Sequence, residues 1–234
     1  MTKLALYDID GTLLESTGFE SDCYVAAIKD ALGLKQIDTD WSHYVHATDS
    51  GILAELYRNR FHQEITPEIG EQVKQRFVDI QLDRFRSEHV RLRPLAGAGE
   101  ALHLLDKSGE WKVALATGSW RESAEVKIIN AMLPVEKFPL FSCADSVSRE
   151  GIMQAAIQAM QIKAGAFEKT VYLGDGPWDV KASRELGIAF LGMGTRAAEL
   201  LKAGASHALR DYADQGRFLK ALDDCSVPGA GATG

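Results

Sequence analysis

Cysteine is scarce in this chain, and the three present, Cys23, Cys143 and Cys225, are scattered over 234 residues. No CxxC pair occurs, so neither a disulfide framework nor a structural zinc site is indicated, and the thiols are expected to be buried and idle. Excess positive charge is also missing. Lys and Arg number 26 against 33 Asp and Glu, a formal net charge of −7. An acidic chain has no general electrostatic reason to bind nucleic acid or an anionic membrane. Long apolar runs are absent: "MTKLALYDID" meets charge too early for a secretory or membrane-spanning segment, and a cytoplasmic location is the default expectation. There is no internal repeat. The one biased stretch is the tail "SVPGAGATG", residues 226–234, whose Gly, Ala and Pro content predicts disorder.

What is present is 46% hydrophobic residue content, enough for one sizeable core or a core with a smaller companion. The run Leu4 to Ile9 is short and nearly continuous, as in a strand covered on both faces. From about Glu20 to Glu88 the apolar spacing becomes helical. Tyr24, Ala27, Ile28, Ala31 and Leu32 share a face and Gly33 follows as a stop. "TDSGILAELYRNRF" opens on capping residues, and Thr66 with Pro67 marks the start of a third helix. After Pro94, strand and helix alternate. "WKVALAT", "FPLFSCA", "TVYLGD", "IAFLGMG" and "SHAL" read as strands, and helices are expected at Ala98 to Lys107, at "REGIMQAAIQAM", at Trp178 to Leu186 and after each of the last two strands. This pattern predicts an α/β fold with a Rossmann-like parallel sheet, its core at 1–16 and 93–225, interrupted by an all-helical cap at 17–92.

In open α/β sheets, ligands sit beyond the carboxyl ends of the strands. The first strand delivers Asp8 and Asp10 there. "WKVALATGS" delivers Thr117, Gly118 and Ser119, and "TVYLGDGPWD" delivers Asp175 and Asp179. Carboxylates crowded on one rim call for a hard divalent cation. Magnesium takes one or two carboxylates together with water and a phosphate oxygen. A hydroxyl, a glycine amide and a basic side chain would suit the remaining phosphate oxygens. The set reads as phosphoryl transfer to an aspartate nucleophile. An EF-hand reading fails, since the fifth and twelfth positions counted from Asp8 are Thr12 and Phe19. "GMGTRA", Gly192 to Ala197, fits a GxGxxA dinucleotide loop, but too little chain follows for a second βαβ half, so a tight turn is expected. His43, His46 and His62 form no metal-ligand pattern and are expected to be surface or packing residues.

"DIDGTLL", "LATGS" and "GDGPWD", in this order, resemble the first, second and fourth motifs of the haloacid dehalogenase superfamily. The helical insert sits where that family carries a C1-type cap. The pattern is most similar to the phosphoglycolate phosphatase and β-phosphoglucomutase group. The resemblance implies that Asp8 attacks phosphorus and that Asp10 acts as acid and then base. It also implies that Mg2+ is held by Asp8, Asp175 and the backbone carbonyl of Asp10, with Asp179 completing the metal site by holding the metal's water or supporting Asp175, and that Thr117 and Gly118 bind the phosphate. The family's third motif is usually a lysine. No lysine lies in "ADSVSREGIMQ", and Arg149 takes the expected place. A cation in a helix's first turn opposes the helix dipole, so Arg149 is expected to meet an anion there.

The expected activity is thus Mg2+-dependent hydrolysis of a small phosphorylated metabolite by a monomer or homodimer. In the superfamily that the chain resembles, dehalogenases and phosphonate hydrolases typically lack the second aspartate, since they need no acid for an alkoxide leaving group. Through Asp10 the resemblance therefore implies that phosphate esters are the substrates. The alternatives are a phosphomutase, a nicotinamide-dinucleotide-binding protein, and a non-catalytic interaction protein on the same scaffold. The cap is expected to move at 16–18 and 92–95, closing over the site.

Overall fold

The computed structural model describes residues 2–229. The chain opens with strand β1 (Lys3–Tyr7), whose end feeds directly into the "DIDGT" turn. Three helices follow before the chain returns to the sheet: α1 (Thr17–Leu32), α2 (Asp49–Phe61) and α3 (Pro67–Ser87), with a single 3₁₀ turn at Trp41–His43. The expected punctuation is in place. Gly33 ends α1 in the left-handed conformation, and the Thr48 and Thr66 hydroxyls accept from the amides of Gly51 and Ile69 to cap α2 and α3.

Helix α4 (Ala98–Ser108) then leads to β2 (Trp111–Ala116), α5 (Arg121–Ala131), β3 (Leu140–Phe141) and α6 (Arg149–Ala164). The rest of the chain is β4 (Thr170–Gly174), α7 (Pro177–Leu186), β5 (Ala189–Met193), α8 (Ala197–Lys202), β6 (His207–Leu209) and α9 (Gln215–Asp224). All six strands pair in parallel in the order β3-β2-β1-β4-β5-β6, the doubly wound arrangement. The chain builds outward from β1 to β3, then crosses back to β4 on the other side of β1. That reversal opens a crevice at the carboxyl ends of β1 and β4.

The pleat divides the core in two. Ala5 and Tyr7 of β1 pack on one face with Leu102, Leu105 and Phe218, while Leu4 and Leu6 pack on the other with Ile152 and Val180. The helical insert joins the second layer through an aromatic group: Tyr24 and Phe77 lie 5.4 Å apart and Trp120 is 5.8 Å from Tyr24. All three cysteines are buried and unpaired.

The structure differs from expectation at three places. The strand expected at "FPLFSCA" is only two residues long, because the Ser142 amide donates to Asp145 Oδ2 at 2.8 Å and turns the chain away. Helix α5, between β2 and β3, has no counterpart in the sequence pattern. Disorder is expected from residue 226, yet Ser226 O accepts from the Phe190 amide at 3.1 Å and the Gly229 amide donates to Gly204 O at 3.0 Å. Residues 230–234 of that expectation lie outside the described residues.

Candidate active site

Asp8 is the first residue past β1, Thr117 the first past β2, and Asp175 the first past β4. With Asp10, Gly118 and Arg149 they line one cavity of about 640 Å³, roofed by residues of the insert. Asp179, in the first turn of α7, lies behind this wall with no exposed surface, and Gly176 N–H donates to its Oδ2 at 3.0 Å. Asp8, Asp10, Thr117, Gly118, Arg149, Asp175 and Asp179 therefore belong to one locus at the topological switch point.

Glycines make this crowding possible. A Cβ on Gly11 would lie 2.1 Å from Asp175 Oδ2, and the backbone there has φ +73°, which a side chain resists. A Cβ on Gly118 would meet Arg149 Nη2 at 2.7 Å. Gly194, in the "GMGTRA" segment, also has positive φ, and a Cβ on it would strike the Gly11 carbonyl at 2.5 Å. The segment is thus a tight turn that braces the "DIDGT" loop, followed by a helix of only six residues.

Arg149 is the first residue of α6 and is buried, not solvated. Its Nη1 lies 3.3 Å from Asp8 Oδ1 and its Nε 3.3 Å from Asp179 Oδ1. Its Nη2 donates to the Ala47 carbonyl of the insert at 3.3 Å. The two carboxylate contacts lack hydrogen-bond geometry, so Asp8 Oδ1 and Asp179 Oδ1 are buried with no hydrogen-bond partner. Asp8, Asp175 and Asp179 place oxygens within 4.8 Å of one another. Burial raises the Asp8 carboxyl above its ordinary range despite Arg149. Burial, then the charges of Asp179 and Asp8, push Asp175 well up. Burial carries Asp179 to about 7, with Arg149 opposing. Fully ionised, the three carboxylates would outnumber the one guanidinium by two charges, and two of their own oxygens, Asp8 Oδ1 and Asp179 Oδ1, lack a hydrogen-bond partner. This donor set fits a hard divalent cation such as Mg2+.

Asp10 has separate surroundings. Ser16 Oγ donates to Oδ1, while Lys127 Nζ lies 2.5 Å and Ser119 Oγ 3.1 Å from Oδ2. Lys127 has no exposed surface and also pairs with Glu20. Burial alone would raise the Asp10 carboxyl, but the Lys127 charge and these hydrogen bonds hold it below its ordinary value. Glu20 is pushed well up by burial and by the charge of Asp10. Sequence reasoning misses both Lys127 and Glu20. Lys127 lies on the one helix that the sequence pattern does not show, among charged neighbours, and an acidic residue in the first turn of α1 looks like ordinary dipole compensation.

The insert is seated on the site. The Asp49 amide donates to Gly118 O at 2.9 Å, and the Trp120 amide donates to Asp49 Oδ2 at 2.8 Å. Thr48 Oγ1 donates to Val147 O at 2.7 Å. Burial pushes the Asp49 carboxyl up to about 7.

No curated protein matches the chain. Among solved structures, a hydrolase from Pseudomonas syringae superposes with a TM-score of 0.73 at 23% identity, covering 95% of this chain and 99% of that one. A putative β-phosphoglucomutase from Bacteroides vulgatus gives 0.70 at 18% identity, covering 95% and 89%. A predicted phosphoglycolate phosphatase from Haemophilus somnus gives 0.61 at 17% identity, covering 93% and 98%. At these identities the likeness establishes the shared fold. The model of the haloacid dehalogenase-like hydrolases matches residues 2–187, which span the "DIDGT" loop, the insert and the Asp175–Asp179 turn. The chain belongs to the haloacid dehalogenase-like hydrolase family.

Proposed function

We propose that the protein is a Mg2+-dependent phosphatase that hydrolyses a small phosphomonoester through an aspartyl-phosphate on Asp8. The observation that carries this reading is the separation of the two aspartates of one loop. Asp8 faces Arg149 and the metal-type carboxylates, whereas Asp10 is held by Lys127, Ser16 and Ser119. Asp8, beside Arg149, would act as the nucleophile, and Asp10 would carry the proton to and from the reacting oxygens.

Asp8, Asp175 and Asp179 would hold Mg2+, with the Asp10 carbonyl. Bound there, the ion would neutralise phosphate oxygens and relieve the carboxylate crowding. Arg149 reaches into the cavity beside Asp8 and would draw a substrate phosphate onto the nucleophile, joined by the Thr117 hydroxyl and the Gly118 amide. The insert would exclude water from the first step and lift off, at 16–18 and 92–95, for exchange of substrate and product.

A phosphatase is favoured over a phosphomutase by the insert's share of the lining. It contributes Glu20, Ser21, Tyr24, Trp41 and Asp49, and no Lys or Arg. The insert therefore offers no cation to hold the second phosphate that a bisphosphate intermediate would present to it. The β-phosphoglucomutase-like neighbour keeps the mutase as the second reading. The test is a screen over phosphorylated metabolites with Mg2+ or a chelator, using Asp8→Asn as control. The reading requires phosphate release that disappears with the chelator and in the variant. Hydrolysis that survives either one refutes it.

A further inference from the structure

A lysine without exposed surface is expensive to bury, and an apolar side chain of the same size would usually stabilise the position as well or better. Lys127 is nevertheless carried by α5 to the floor of the site. Its ammonium is 2.5 Å from Asp10 Oδ2 and 3.2 Å from Ser119 Oγ, and it pairs with Glu20 Oε1. Ser119 Oγ lies 2.6 Å from Glu20 Oε1 and 3.1 Å from Asp10 Oδ2, so its single proton serves one carboxylate at a time. Ser16 Oγ donates to the other Asp10 oxygen. Both oxygens of Asp10 are therefore fixed by the loops after β1 and β2 and by α5. Glu20 belongs to α1, the first helix of the insert.

A phosphatase of this kind asks two things of Asp10. In the first step an Asp8 oxygen attacks phosphorus, and the bond from phosphorus to the leaving oxygen breaks with its electron pair on that oxygen. Asp10, having first taken up a proton from solvent, passes it to that oxygen, giving an acyl phosphate, an alcohol and an Asp10 carboxylate. In the second step water attacks phosphorus and gives a proton to Asp10. The bond to Asp8 then breaks, releasing phosphate and restoring both carboxyl groups.

We propose that Lys127 is a positioning residue for proton transfer by Asp10, a role that rests on the phosphatase reading. With Glu20 and Ser119 it fixes the orientation of the Asp10 carboxyl group, which would meet the leaving oxygen. The pairing with Glu20 ties this arrangement to the seated insert, so that the acid is in place only when α1 is docked. A carboxyl group held in its working orientation needs no reorganisation at the moment the proton moves.

The readout is leaving-group dependence, which a merely structural lysine would not move. The parameter kcat/KM reports the steps through departure of the leaving group. It is measured for p-nitrophenyl phosphate, whose leaving anion is stable without protonation, and for a panel of glycerol and sugar phosphates, whose leaving oxygens need the proton. The variants are Lys127→Met and the double variant Lys127→Met/Glu20→Gln. The double variant removes both members of the Lys127–Glu20 pair, so neither is left buried without its partner. In both variants kcat/KM for the alkyl phosphates should fall by about 100-fold or more, and for p-nitrophenyl phosphate by less than about 10-fold. Equal loss on both substrate classes in a double variant that melts like the wild type, or no loss on either, overturns the positioning role while leaving the phosphatase intact. A wild-type protein with no Mg2+-dependent, Asp8-dependent hydrolysis overturns the phosphatase reading itself, and the role of Lys127 with it.

Discussion

Replacing Arg149 with alanine should unfasten the centre of the site, and the size of the effect can be worked from its contacts. The side chain is 8% exposed, and its carboxylate partners Asp8 and Asp179 are 5% and 0% exposed. At 3.3 Å and an effective dielectric of about 20, each contact contributes about 5 kcal/mol gross. Desolvating the guanidinium takes back several kcal/mol, so truncation is expected to cost about 3–5 kcal/mol net. The cost should depend on pH. Without Arg149 the carboxylates hold protons more strongly in the folded state, and stability then falls as pH rises through the range where they are forced to ionise. The difference from wild type should be larger near pH 8 than near pH 6, to an order of magnitude set by one proton. Mg2+ supplies the missing positive charge, so it should stabilise the variant more than the wild type. Urea titrations at both pH values, with and without Mg2+, measure all of this. A variant that unfolds like the wild type under all four conditions would refute the assignment of Arg149 as the internal counter-ion. Turnover of the substrate found by screening should also fall, by about 10²–10³-fold, as for loss of one transition-state donor.

Gly11→Ala should cost about 1–2 kcal/mol for its left-handed backbone and should also displace the Asp175 carboxylate, 2.1 Å from the new Cβ. The Mg2+-induced rise in Tm is therefore expected to shrink or vanish, as checked by melts with and without the ion. Magnesium affinity should itself depend on pH. Asp179 is pushed up to about 7 by burial, so below that pH a proton must leave before the ion binds, and affinity should climb toward about 7 and flatten above it. In metal-free protein the same raised carboxyl contributes stability at low pH that is lost as pH rises from the ordinary carboxylate range, about 4, to about 7. Calorimetry of Mg2+ binding across this range checks the first expectation, and thermal melts in chelator check the second.

The strand ends are legible because buried parallel strands are short, continuous apolar runs, and each of β1, β2 and β4 stops at a polar residue that the core cannot absorb. Asp8, Thr117 and Asp175 follow from that contrast alone. Arg149 can be read because a cation in a helix's first turn is misplaced unless an anion faces it, and Asp8 and Asp179 do. Lys127 cannot be read in this way. Helix α5 has no side-chain cap at Trp120 and ends at Met132 rather than at a glycine, so both its boundaries lack the usual signals. Its apolar face, Ala124, Ile128 and Ala131, is thin, and the lysine beside it looks like any solvated helical lysine. Glu20 is hidden for the same reason, its surroundings being fixed only when the insert folds back over β2. The first residues of the tail defy their composition, which carries no information about the amides of Phe190 and Gly229 that tie them down.

The central claim is that Asp8 carries the phosphoryl group during turnover. The most direct test is to mix the protein with Mg2+ and the substrate identified by screening, quench in acid, and locate the adduct by peptide mass spectrometry. A phosphoryl group on the Asp8 peptide, absent from Asp8→Asn, is the predicted result. Full turnover with the adduct on another residue, or with the Asp8→Asn protein still releasing phosphate, would contradict it.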